Sequence, residues 1–341
     1  MRPVPLDPTG HTGPTRGQAL GPRWRATSQG YYVRSGVDST VPEQRVLEQA
    51  VRLPPGGAVT GWAALRLHRG NFFDGLEPDG RTPMPVPLVV PRSSRIRSSE
   101  EVTVAREPLG ADEITVICGI PCTTVGRATF DEMRRTRDLR EAVVVIDMVA
   151  AALLASIRRM RAYHADRTPW RRSTLVADAL DLASEDSRSP NETRVRLIWV
   201  LDARFPVPQV NRNIWDRSGR LLGIADLLDE AAGVVGEFDG ADHRAAGRHA
   251  ADIGREHRMR RAGLEVFRVA GPDVPRRAMV ADRMAYHRSR GLWLPPERRA
   301  WTVVPPPGTE PLQSLDAYLD EEDFHREMRE LHDRELRGEG S

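Results

Sequence analysis

From residue 191 onward the apolar positions change their spacing in a readable order. They recur every three to four residues over 191–203, which predicts a helix. They then alternate or run together over 208–215, 221–228 and 233–239, which predict three strands. The first two strands are joined by Asp216-Arg217-Ser218-Gly219, a turn-forming tetrapeptide. Helical spacing returns over 247–262, a strand is predicted over 264–269, and a last helix over 275–290. The expected fold class is α/β (α+β), with an αβββαβ core on the C-terminal side of the chain.

The first part of the chain reads less regularly. Residues 1–40 are loop-rich, and only 30–34 look like a strand. Helices are predicted over 42–53 and just after 59–65, and strands over 87–90, 102–105 and 114–117. An Ala- and Arg-rich stretch, 139–161, predicts one long helix that closes a first domain, and a further helix is expected near 175–182. The polar run Ser184-Glu185-Asp186-Ser187-Arg188-Ser189-Pro190 suits a boundary. The expected organisation is a loop-rich segment (1–40), a mixed α+β domain (41–165), a linker (166–190), the αβββαβ domain (191–292) and a tail (293–341). That tail is Pro-rich at first and then acidic and helical over 312–336.

A length of 341 residues fits two domains, each able to bury its own core. No apolar run approaches the roughly 20 residues a membrane helix needs, and the N-terminus lacks a secretory apolar stretch, so no membrane role and a cytoplasmic location are expected. Cys118 and Cys122 are the only cysteines and supply at most two of the four ligands of a structural zinc site. The chain has no lysine, so all 50 basic residues are arginine, as in proteins from GC-rich genomes. Any mechanism that requires lysine is thereby excluded. With a net charge of +2, nucleic-acid binding has to come from local clustering.

The candidate chemistry lies in charges set into apolar strands. Val235-Gly236-Glu237-Phe238-Asp239 puts two carboxylates on one strand face, because residues i and i+2 point the same way. Like charges side by side repel, and a divalent cation between them, or a proton on one, relieves that cost; the bland alternative is that the acids are strand-end residues exposed at a sheet edge. Gly223-Ile224-Ala225-Asp226-Leu227 sets one more acid in the neighbouring strand. Oxygen ligands of this kind suit Mg2+ or Mn2+, which would polarise a phosphodiester and lower the pKa of a water. Asp239 precedes Gly240 and is as well suited to shaping a turn as to joining the site. His243 stands four residues beyond it, either a surface group or a proton carrier. Glu192, in the first turn of a helix, is explained by the helix dipole alone.

These residues carry a resemblance. Ser189-Pro190-Asn191-Glu192-Thr193-Arg194, Gly223-Ile224-Ala225-Asp226-Leu227, Glu237-Phe238-Asp239-Gly240-Ala241-Asp242-His243 and Ala262-Gly263-Leu264-Glu265-Val266-Phe267-Arg268 resemble, in order and spacing over about a hundred residues, domains related to the very-short-patch mismatch endonuclease. Those domains belong to the restriction-endonuclease-like, PD-(D/E)XK superfamily. The resemblance implies metal on Asp226 and Glu237, a helix acid at Glu192, and nicking of DNA. A lysine commonly lies two residues beyond the strand-three acid; here that position is Asp239, so its part would fall to His243 or to an arginine such as Arg255. Gly61-Trp62-Ala63-Ala64-Leu65, Pro87-Leu88-Val89-Val90-Pro91 and Gly119-Ile120-Pro121-Cys122 give a fainter likeness to AbiEi-type antitoxin-like proteins, which implies a toxin–antitoxin partner.

DNA phosphates are expected on Arg248, Arg255, Arg258 and Arg261 of the helix that follows the acids, and on Arg268. The function expected is a Mg2+-dependent DNA endonuclease or nickase of repair or defence. The alternative is a non-catalytic DNA-binding or antitoxin-like regulator on a nuclease scaffold.

Overall fold

A computed structural model describes residues 1–167, 169–239, 246–310 and 313–336, without the side chains of 246–253 and 334–336. The chain forms two compact units, one of Met1–Arg137 with Arg158–Asp178, the other of Asp138–Ile157 with Ala179–Ser341. It is a mixed α and β protein. No helix among the described residues is long and apolar enough to cross a membrane.

In the first unit, β1 (Val4–Pro5), α1 (Arg16–Ala19), β2 (Trp24–Ser28) and β3 (Tyr31–Arg34) come first, and the three strands pair in the order β1-β3-β2. The loop-rich reading of this segment therefore missed two strands. Then follow α2 (Pro42–Ala50), β4 (Ala58–Val59), α3 (Gly61–Leu67), β5 (Val86–Val89), β6 (Val102–Ala105), β7 (Ile114–Ile117), β8 (Ile120–Thr123) and α4 (Val125–Arg135). Their strands make a mixed sheet ordered β6-β5-β4-β8-β7.

The single helix predicted over 139–161 is two, α5 (Leu139–Ala151) and α6 (Ile157–Ala165). Leu153 takes a left-handed φ of 56°, and the Leu154 N–H folds back on the Val149 carbonyl at 3.0 Å, which ends α5. Moreover α5, expected to close the first domain, belongs to the second unit. Every residue from 142 to 150 is buried, so this helix is a core element and not an amphipathic cover.

After α7 (Ser173–Leu182), the second unit continues with α8 (Pro190–Leu197), which runs into a π-helical turn, Ile198–Asp202. Next come β9 (Gln209–Asp216), β10 (Leu221–Asp229), β11 (Val234–Asp239), α9 (Ala246–Arg261), β12 (Glu265–Ala270), α10 (Arg277–Ser289), β13 (Trp301–Thr302) and α11 (Leu315–Leu336). The predicted order of helix, three strands, helix and strand is thus present. The sheet is ordered β12-β11-β10-β9-β13, with β9, β10 and β11 antiparallel and β12 parallel to β11. A parallel neighbour requires a crossover, and α9 provides it. β13 lies in the stretch read as a tail, and its Trp301 is buried in the core.

Strand alternation builds two cores, one on each sheet face. Leu227, Val234 and Phe267 pack with Val195, Trp199 and Met284 from α8, the π-helical turn and α10. Their sequence neighbours Leu228, Val235 and Val266 pack on the other side with Met259 of α9. A Cβ on Gly223 would lie 2.5 Å from the Met259 methyl and 2.8 Å from the Arg255 side chain, so the missing side chain is what lets α9 lie down on β10. That close approach brings Arg255 to the acids.

Candidate active site

The β10–β11 ladder runs through Asp229↔Val234, Leu228↔Val235 and Leu227↔Gly236. One step further along this register sets Asp226 opposite Glu237. There the two strands fork: β10 stays with β9 through Ala225↔Arg212 and Ile224↔Asn213, while β11 stays with β12 out to Asp239↔Ala270. Asp226 sits in the fork and closes it, its Oδ2 accepting the Phe238 N–H at 2.7 Å. A side chain has taken the place of the next ladder carbonyl.

This position is costly for a charge. Burial pushes the Asp226 carboxyl up, and Glu192 and Glu237 push it the same way. The Phe238 N–H and Arg255 pull against them, and the balance leaves its pKa at about 6. Of the four acids read from the sequence, Glu192 and Glu237 are therefore close enough to act on Asp226.

Glu237 is only 5% exposed, and its Oε2 lies 3.3 Å from Arg255 Nη2 and 3.3 Å from Arg268 Nη2. Arg268 is the register partner of Glu237 on β12, and it also reaches Glu256 at 3.1 Å. Two of the arginines expected on phosphate thus face the strand-three acid. Arg258 is partly buried on α9, and Arg261 is exposed at the end of that helix. The side chain of Arg248 and the whole of His243 lie outside the described residues. Asp239, on the same strand face as Glu237, is exposed at the end of β11.

Glu192 is held by the start of its own helix. Ser189 caps α8 by accepting the Glu192 N–H at 3.3 Å, and its hydroxyl donates to Glu192 Oε1 at 3.0 Å. Glu192 Oε2 accepts from the Arg188 N–H at 3.0 Å and from Asn211 Nδ2 at 2.9 Å. Asn211 was not singled out in the sequence. It stands inside β9 with a φ of 47°, a left-handed backbone that asparagine tolerates better than most residues, and this turns its amide toward α8. An asparagine in a strand pattern was the available signal.

The donor set can be tested against a cation. Both Glu192 oxygens already accept from the chain, and one Asp226 oxygen is spent on Phe238. Among the described residues, no cluster of three or more His, Cys, Asp or Glu side chains is arranged to hold a metal. What remains is the facing pair Asp226 and Glu237. Two carboxylates are as many as Mg2+ takes when water and phosphate oxygens complete its shell, so the pair fits that ion. Arg255 and Arg268 compete with it for Glu237.

No family model, no curated protein and no solved structure matches this chain.

Proposed function

We propose that the second unit is a Mg2+- or Mn2+-dependent DNA endonuclease or nickase that hydrolyses phosphodiester bonds in repair or in defence against foreign DNA. The observation that supports it best is the fork. In an αβββαβ order of elements, two acids from adjacent strands face each other where the strands part, and burial and mutual repulsion raise the proton affinity of Asp226.

In this reading Asp226 and Glu237 hold the cation, which when bound polarises a phosphodiester and eases deprotonation of a water. Glu192 adds negative charge beside Asp226 and, through Asn211, ties the first turn of α8 to β9. Arg255 and Arg268 neutralise Glu237 until the cation takes over that charge, and their guanidinium groups are then placed for phosphate oxygens. Asp239 lies at the open end of β11, where a strand of nucleic acid can approach it. His243 is proposed as a proton carrier on its sequence position alone.

The test is nicking of supercoiled plasmid by the full chain with Mg2+ or Mn2+. Activity that Asp226→Ala abolishes supports the proposal. Retardation of the plasmid without nicking, equal in both proteins, favours the second reading, a DNA-binding or antitoxin-like regulator on the same scaffold. The two arginines that already neutralise Glu237 are the observation on that side.

A further inference from the structure

The first unit contains a second charged cluster, built around α4. Arg127 is fully buried, with Nη1 2.9 Å from Glu113 and Nε 2.9 Å from Asp131. Arg134 reaches Asp131 at 3.0 Å and donates to Glu107 Oε1 at 3.1 Å, and Arg167 meets Glu113 at 2.9 Å. Three guanidinium groups thus face these three carboxylates, and a fourth acid of the same helix, the buried Glu132, lies between Asp131 and Arg135 in their fields.

Beside this core opens a cleft of about 240 Å³, whose lining includes Thr60, Glu107, Asp131 and three further arginines, Arg135, Arg171 and Arg172. Among the described residues these three make no ion pair: Arg135 lies in the field of the buried Glu132, while the exposed Arg171 and Arg172 have no acid opposite them. Thr60 is spent, its hydroxyl donating to Asp131 at 2.7 Å. The walls are fixed to each other. Arg134 Nη1 donates to the Arg171 carbonyl at 3.1 Å, and Arg172 Nη1 donates to the Arg134 and Thr136 carbonyls at 2.7 Å each. Trp170 lies against Arg127 at 4.7 Å and Arg134 at 5.2 Å, which packs the turn that carries Arg171 and Arg172 onto α4.

We infer that this cleft binds a phosphate group, gripped by the guanidinium groups of Arg135, Arg171 and Arg172. The acids in the lining do not repel it, because Arg127 and Arg134 already neutralise them. Arg171 and Arg172 in excess, with Arg135 beside them, match a multiply charged anion, and planar guanidinium groups bind phosphate oxygens in pairs. The size sets the class further: ligand pockets usually run from about 300 to 1,000 Å³, so this cleft takes one phosphate and leaves the rest of a nucleotide outside. The phosphate is either part of a nucleic-acid strand or free in solution. The inference holds whether or not the second unit cleaves DNA.

The test uses the full chain in EDTA, titrated calorimetrically with inorganic phosphate and, by fluorescence anisotropy, with a labelled 5′-phosphorylated oligonucleotide. Arg135→Gln combined with Arg171→Gln should weaken binding of at least one probe by about tenfold or more, the loss of two charge-assisted contacts. Arg172 is left in place because it holds two carbonyls. Should the double variant melt lower than the parent, the exposed single change Arg171→Glu carries the test. Loss confined to the oligonucleotide identifies a strand phosphate, and loss of inorganic phosphate as well identifies a free one. Unchanged affinity for both probes overturns the inference, as does polyglutamate competing as well as phosphate does. The two arginine changes should cost the same factor in an Asp226→Ala background as in the parent, which separates this site from the one in the second unit.

Discussion

Each unit buries carboxylates among arginines, and the two clusters are balanced in opposite ways. Burial alone would raise the Glu113 carboxyl in the first unit. Tyr163, the Gly110 N–H, Arg127 and Arg167 outweigh that, and its pKa is held below the ordinary carboxylate value. In the second unit burial raises Asp226, and its nearest acids add to the effect instead of relieving it, so that it reaches about 6. The first cluster is charge used as architecture, complete without any ligand. The second carries an electrostatic cost that a cation would remove, and such costs gather where chemistry is done.

The contrast breaks most readily at Arg127. Arg127→Met removes a fully buried cation that Glu113 and Asp131 share, and leaves each of these acids with one arginine, Arg167 and Arg134. A loss of about 3–5 kcal/mol is expected in urea unfolding, the usual consequence of stranding one side of a buried pair. A loss under 1 kcal/mol would mean that the first cluster is not holding its unit together.

Asp226→Asn should move stability the other way. The carboxyl has a higher pKa folded, about 6, than its ordinary 3.8, so the native state binds the extra proton between those values. Its stabilising contribution is complete below pH 3.8 and lost as pH rises through 6. In metal-free protein the amide variant should therefore gain on the parent with rising pH. After discounting the partial exposure of the site, the gain is about 2 kcal/mol at pH 8 and near zero at pH 4. Equal differences at pH 4 and pH 8 would show that Asp226 is not under electrostatic load. Added Mg2+ should narrow the gap by stabilising the parent alone.

Gly223→Ala comes next. Its Cβ would press on Met259 and Arg255, and α9 would have to lift from β10. Overpacking of this kind costs about 1–3 kcal/mol, to be read as a lowered melting temperature. Because Arg255 rides on the same helix, nicking should fall more than stability does. A variant that melts like the parent would show that α9 is not seated on this glycine.

The elements that form the fork were legible because their signals are local. The apolar runs of the strands and the turn at 216–219 are written within a few residues. Asp226 and Glu237 stood out as charges in apolar strands, and their neighbours in space are also the strands next in sequence. What escaped notice depends on distant partners. Arg127 and Asp131 are one turn apart and look like a solvated pair until Glu113 and Tyr163 close over them. Nor could periodicity tell that α5 lies in the core of the second unit, where the buried Asp147 accepts from Thr193 and Arg196 of α8. Asn211 was missed for a related reason, since its meaning lies in a backbone angle.

Ser189→Ala is the smallest of these changes and the one that best sharpens what Glu192 is for. The hydroxyl accepts the Glu192 N–H and donates to its carboxylate, so its removal should cost about 1 kcal/mol, as lost N-caps do. Glu192→Gln keeps the cap but removes a charge that raises Asp226. If Glu192 serves only the helix, the two variants nick plasmid alike. If it serves the acidic site, Glu192→Gln loses activity while Ser189→Ala keeps it, because Arg188 and Asn211 still hold the carboxylate beside Asp226.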